Sequence, residues 1–327
     1  VKASGLLTAL ALAGAAQAQE QAQEITRFEA RGTGFIEYQV PPAGDAPPVE
    51  YYISRTTAPA PLVLLIQGSG CTPGFSGLGT PRRSANIFGF LDTAWTGKYA
   101  VMTVNKPYSP ATPQSDGTAT ACPEQFNQYF TLENWTRDLA RAVQHARSLP
   151  WVAQGPLLVI GVSEGATAAA ALAARDAAVT NVAMVSGSGA TQYYDFIVSA
   201  YRSGANDSEV KQKLDELDAT RQRIFAASDS ATDFAWGHPY KRWSSFFRAS
   251  NTTSLLKSRS KVYVVSGMQD SSTPILSAEA MAADLRAAGR DVTVRRLPDV
   301  GHTLQPAGAS GDALWPEYQR ILNWFQP

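Results

Sequence analysis

The chain has 327 residues, 44% of them hydrophobic and 17% charged, a composition that excludes a disordered chain and allows one large α/β domain or two small ones. Basic and acidic residues balance at 28 each, so no overall field draws the chain to nucleic acid or to an acidic membrane surface. No long basic run supplies such a field locally.

At the N-terminus Lys2 precedes the apolar stretch "GLLTALALAGAA", and Ala16-Gln17-Ala18 places small residues where signal peptidase requires them. Residues 1–18 are therefore expected to be a secretory signal peptide, with residues 19–327 as the mature domain. The alternative, an amphipathic helix, is disfavoured because the stretch lacks a polar face. No later window is apolar and long enough for a transmembrane helix. The expectation is an exported protein, periplasmic or secreted, with no membrane association once the leader is removed. The two cysteines, Cys71 and Cys122, suit an oxidising compartment and are expected to form one disulfide, with two buried free thiols as the alternative.

The segments "ITRFEA", "GFIEYQV" and "VEYYIS" carry β-branched and aromatic residues between Gly/Pro breaks and predict an antiparallel edge. After Pro61 the pattern changes to nearly continuous apolar runs: "LVLLIQG", "YAVMTVN", "PLLVIG", "NVAMVSG" and "KVYVVSG". Strands of that kind are buried on both faces of a parallel sheet, and "DVTVRRLP" adds a last one. Between them lie predicted helices. Leu132, Trp135, Leu139, Val143 and Ala146 form a helical stripe; "GATAAAALAARDAA" is a helix of small residues; "TPILSAEAMAADLRAAG" reads as Thr273 capping, Pro274 at the first turn and Gly289 just past the end. "ALWPEYQRILNWF" closes the chain. The architecture implied is a mostly parallel sheet with helices on both faces. The interval of about 192–256 breaks the alternation with a charged helical section and an aromatic-rich one, and predicts a helical cap insertion rather than an independent domain.

Gly161-Val162-Ser163-Glu164-Gly165 fits G-x-S-x-G between a strand and a helix. A serine on so sharp a turn takes an unfavourable backbone conformation, and glycine two positions either side relieves the crowding. The turn displays the Ser163 hydroxyl at a helix N-terminus, where developing negative charge is favoured. A serine hydroxyl needs a base to take its proton, and there are three histidines. His145 falls on the polar face of its helix with Asp138 and Arg141 and reads as solvated. His238 sits among the aromatics of the insertion. His302, in "LPDVGHTLQP", follows the last strand and is assigned as base, because active sites collect at strand C-terminal ends in such sheets. Asp270, just past "VYVVSGMQ", is assigned as the acid that orients His302; Asp299 is the rival. The Glu164 backbone N–H is expected to be one oxyanion donor, and Ser69 in "QGSG" the other, with Gly70 as the fallback. Gln67, Gly68, Tyr193 and His238 are candidates for lining the substrate site. Lys106, in "NKPY", reads as a surface lysine, with substrate contact as the alternative. Neither HExxH, paired CxxC, a P-loop nor GxGxxG occurs, so no metal or nucleotide cofactor is expected.

With "GVSEG" at the turn, "QGSG" after the first parallel strand, "DSSTP" at the acid and "VGH" at the histidine, the chain resembles the α/β-hydrolase superfamily. In detail it is similar to dienelactone-hydrolase-like and prolyl-oligopeptidase-like members, without room for a propeller domain. The resemblance covers nearly all of residues 19–327 and implies an α/β-hydrolase fold. It departs from the pattern at Gln67, where many relatives carry His, and at Glu164, which sets a carboxylate beside the nucleophile. The residues and the resemblance together predict a serine hydrolase acting through an acyl-enzyme on a small-molecule or short-peptide acyl substrate, most simply a carboxylic ester. Amide or peptide hydrolysis, acyl transfer and a non-catalytic binding role are the alternatives.

Overall fold

The computed structural model describes residues 22–30, 33–77, 84–85, 97–111, 118–306, 309 and 314–326. The expected signal peptide, 1–18, lies outside them. Elements are numbered in chain order. Strands β1 (Gln23–Ala30), β2 (Thr33–Val40) and β3 (Val49–Ser54) form the antiparallel edge the sequence predicts. They lead into β4 (Ala60–Ile66), a short ladder of β5 (Phe75–Ser76) and β6 (Ser84–Ala85), and then β7 (Ala100–Val104). Helices α1 (Glu124–Tyr129) and α2 (Leu132–Ala146) precede β8 (Val152–Val162), followed by α3 (Glu164–Arg175) and β9 (Val179–Val185). The interval predicted as an insertion holds α4 (Gln192–Ser203), α5 (Asp207–Ala226), the two-residue strands β10 (Phe234–Ala235) and β11 (His238–Pro239), α6 (Tyr240–Phe247) and α7 (Asn251–Lys257). The chain ends with β12 (Lys261–Gly267), α8 (Ile275–Ala287), β13 (Val292–Leu297) and α9 (Trp315–Phe325).

The main sheet runs β1-β2-β3-β7-β4-β8-β9-β12-β13. β3 meets β7 antiparallel, and from β7 to β13 every neighbour is parallel. Because successive strand residues face opposite sides, each apolar run feeds two cores at once. Leu62, Leu64, Val159, Met184 and Val264 point to one side, where α2, α3 and α8 cover them through Leu139, Val143, Leu172, Met281 and Leu285. Val63, Leu65, Ile160, Val185 and Val265 point to the other, where α9 contributes Tyr318, Ile321, Leu322 and Phe325. That double burial is why these strands read as continuous apolar runs rather than alternating ones.

Three local expectations are corrected. His145 is half-buried rather than solvated: its Nδ1 lies 2.5 Å from the Tyr51 hydroxyl and its ring sits edge-on to Tyr38. Burial accordingly lowers its pKa. Thr273 does not cap α8, whose N-cap is Pro274; its hydroxyl is used elsewhere. Lys106 is fully buried. By contrast, Gly289 takes φ +73° just past α8, as a helix terminator does.

Candidate active site

Strand β8 and helix α3 are joined at Ser163, whose φ of +55° and ψ of −121° lie in a region that favours glycine. The turn is held by its surroundings: Ser163 N–H donates to Val185 O at 2.9 Å. The flanking glycines are sterically required. A Cβ on Gly161 would strike the backbone of Gly165 and Ala166, and one on Gly165 would lie within 2.6 Å of Gln67 O and closer still to Ile66 O. Alanines at 166, 168, 169 and 170 then let α3 pack close to the sheet.

Three residues far apart in sequence converge here. His302 Nε2 lies 3.1 Å from Ser163 Oγ, and His302 Nδ1 lies 2.9 Å from Asp270 Oδ2. Asp270 is wholly buried at the end of β12, and its second oxygen accepts the backbone N–H groups of Ser272 (2.8 Å) and Thr273 (2.9 Å). The Thr273 hydroxyl donates to Oδ2 at 2.8 Å. Burial pushes the Asp270 carboxyl up, but His302 and the Thr273 donors outweigh it and hold the pKa below the usual carboxylate value. Asp299, the rival acid, is exposed in a turn at φ +60°, and His302 Nδ1 faces Asp270 and Thr273 instead.

The loop after β4 passes directly over the serine. A Cβ at Gly68 would lie 3.3 Å from Ser163 Cβ and 3.7 Å from Oγ, so only glycine brings the backbone this close without a shift. Ser69 follows, half-buried; Gly70 takes φ +79°. Gln67 is buried, its Nε2 turned toward Thr72 O at 3.5 Å. Cys71 and Cys122 are joined in a disulfide that ties this loop to the segment before α1.

Under the loop lies a buried ionic cluster. Glu164, first residue of α3, places Oε1 at 2.9 Å from Lys106 Nζ, and its Oε2 accepts Nε (2.9 Å) and Nη2 of Arg242 from α6. Burial alone would raise the Glu164 pKa; the adjacent charges of Lys106 and Arg242 reverse this and bring it to about 2. Burial lowers the pKa of both cations against the pull of Glu164. Arg242 is sandwiched between the Trp243 and Phe246 rings at 4.0 and 4.3 Å from their centroids. Breaking so buried a pair from one side typically costs about 3–5 kcal/mol.

His238 is buried edge-on to Trp243, close enough to Glu164 to affect its charge. Tyr193, on α4, hydrogen-bonds Asp218 of α5 through its hydroxyl and meets Phe247 edge-on. Lys106, Arg242 and Thr273 were missed as site residues. The signal available was Glu164 itself: a carboxylate on the buried first turn of an alanine-rich helix demands cations, but nothing local says which of 28 basic residues supply them.

The fold built on this nine-stranded, mostly parallel sheet is matched by many solved structures. Acylaminoacyl peptidase from Pyrococcus horikoshii superposes with a TM-score of 0.58 at 11% identity, covering 94% of this chain and 42% of the peptidase. The chain thus spans about two fifths of that enzyme's length. A putative dienelactone hydrolase from Klebsiella pneumoniae matches at a TM-score of 0.53 and 14% identity over 89% of this chain and 97% of its own. Acetyl xylan esterase from Paenibacillus sp. R4 gives 0.58 and 14% over 93% and 88%. The chain has the α/β-hydrolase fold. Residues 220–327, a third of the chain, also match the model of the prolyl oligopeptidase family, a segment that contains Asp270 and His302 but not Ser163. The family match is confined to that third of the chain and leaves ester or peptide as substrate open. No curated protein sequence matches the chain.

Proposed function

We propose that this chain is an exported α/β-hydrolase that cleaves a carboxylic ester through Ser163, His302 and Asp270. The observation that carries the reading is the continuous hydrogen-bonded line from Ser163 Oγ through the His302 ring to a buried, ionised Asp270. Asp270 accepts from Nδ1, which leaves Nε2 with a lone pair directed at the serine hydroxyl. Ser163 Oγ attacks the acyl carbon while its proton passes to His302 Nε2, and Asp270 stabilises the imidazolium. The tetrahedral oxyanion is held by the N–H groups of Glu164 and Ser69. His302 then gives the proton to the leaving alcohol oxygen, the C–O bond breaks, and the acyl group stays on Ser163. Water, deprotonated by His302, attacks the acyl-enzyme in turn, releasing the acid and restoring the serine.

An ester is favoured because its alcohol leaves more easily than an amine. Peptide or amide hydrolysis is the second reading, favoured by the prolyl oligopeptidase family match. Export rests on the expected signal peptide and the Cys71–Cys122 disulfide. Among the described residues no helix is long and apolar enough to cross a membrane. The test is labelling by a fluorophosphonate probe, with turnover of p-nitrophenyl esters set beside aminoacyl and dipeptidyl amides. Label on Ser163, loss of about 10⁶ in kcat for Ser163→Ala, and ester turnover well above amide turnover are expected. A folded wild-type protein that takes no label would overturn the proposal.

A further inference from the structure

An ammonium has three N–H bonds, and Lys106 directs them at three acceptors: Gly68 O at 2.7 Å, Gly70 O at 3.0 Å and Glu164 Oε1 at 2.9 Å. The side chain has no exposed surface, and Nζ lies 4.4 Å from the Phe130 ring centroid. A compact, strongly hydrated ion is held out of water only against such compensation. Two of its three acceptors are carbonyls of the loop that crosses Ser163.

The consequence is geometric. In a trans peptide the C=O and N–H point in opposite directions, and no cis peptide occurs among the described residues. With Gly68 O drawn to Lys106, the Ser69 N–H is turned to the opposite side of the 68–69 peptide. Gly68 itself abuts Ser163. We infer that Lys106 is a positioning residue for the oxyanion hole: it fixes the 68–69 peptide so that the Ser69 N–H, rather than a carbonyl oxygen, faces the carbon attacked by Ser163. The inference rests on Ser163 being the nucleophile. Glu164 thereby serves both donors. Its own N–H is one of them, and its carboxylate anchors the lysine that orients the other. Arg242 holds the remaining carboxylate oxygen from α6, so a helix of the insertion completes the clamp. Without the ammonium the Gly68 and Gly70 carbonyls lose a shared partner. The peptide is then free to turn its negative end toward the developing oxyanion.

Lys106→Met tests this in the otherwise unchanged protein, because it keeps an unbranched stem only one atom shorter, without the ammonium, and leaves Glu164 paired with Arg242. The rate constant for fluorophosphonate labelling of Ser163 and the kcat for p-nitrophenyl acetate should each fall by about 10²-fold, with KM changed less than about twofold. Ser69→Pro removes the donor itself. Adding Lys106→Met to Ser69→Pro should then cost little more, a non-additivity that a merely structural lysine would not produce. Labelling of Lys106→Met within threefold of wild type, or losses that multiply in the double variant, would overturn the inference. Where Lys106→Met does not fold, as judged by near-ultraviolet circular dichroism, Lys106→Gln keeps an uncharged N–H donor on a side chain one atom shorter. It should lose at least about tenfold, and a loss under threefold counts against the inference. A wild-type protein that takes no label defeats the hydrolase reading instead, so the two failures are distinct.

Discussion

Asp270 and Asp299 both precede His302 in the chain, by 32 and 3 positions, and their environments decide between them. Asp270 is buried and accepts two backbone N–H groups and a threonine hydroxyl; Asp299 is exposed in a left-handed turn. Asp270→Asn should reduce kcat for p-nitrophenyl acetate by about 10⁴, since an amide can donate to Nδ1 and leave His302 in the wrong tautomer. Asp299→Asn should leave kcat near wild type. A second buried acid, Asp195 on α4, titrates in the opposite sense. Burial, with the charge of Asp270 adding to it, raises the Asp195 pKa from 3.8 to about 7, although the Ser188 hydroxyl beside it pulls the other way. Between these values the unfolded chain has released this proton and the folded chain retains it, so this group makes the fold less stable as pH rises from about 4 to 7. Asp195→Asn keeps a hydrogen bond to Ser188 and should stabilise the protein at pH 8 but hardly at pH 4. Urea unfolding at the two pH values measures the difference.

The elements around the site hold it through backbone more than through side chains. At the β8–α3 turn the constraint is steric, because Gly165 lies against the carbonyls at the end of β4. Gly165→Ala should cost about 1–3 kcal/mol in urea unfolding, as overpacking does. It should also depress kcat, because the turn can admit the methyl only by shifting Ser163. The acid loop is gripped from the insertion: Arg202, near the end of α4, donates to Asp270 O at 2.9 Å and Met268 O at 3.2 Å, and Ser199 Oγ donates to Ser271 O at 3.1 Å. The region predicted as a cap is therefore tied to the site at two points, the acid through α4 and Glu164 through α6. Its final helix, α7, has a different place. Asn251 at its start reaches Thr167 of α3 (3.3 Å) and Ser188 O (2.9 Å), and Leu255 is wholly buried in the core that includes α3, so α7 belongs to the layer beside the sheet.

Across the whole molecule, the disulfide joins residues 51 apart and closes a loop that includes Lys106. In the chain-entropy account a cross-link of that span stabilises the fold by about 4 kcal/mol, with measured bridges covering roughly 0–5. Cys71→Ser/Cys122→Ser should lower the urea midpoint accordingly and, by loosening the oxyanion loop, lower kcat as well. Dithiothreitol should have no further effect on that variant. The sequence alone was enough for the sheet, the strand-to-helix turn at Ser163 and the placing of Asp270 and His302 after later strands. Those features are local: double-sided burial writes continuous apolar runs, and a tight turn writes glycines. It misread His145 as solvated and Lys106 as a surface residue, because their partners lie far away in the chain, and it misread Thr273 as a cap although its hydroxyl goes to Asp270, three residues earlier. Lys106 meets Glu164 58 positions later, and Arg242 another 78 beyond that. A buried charge is recognisable only by what neutralises it, and that pairing exists only once the sheet has brought β7, α3 and α6 together.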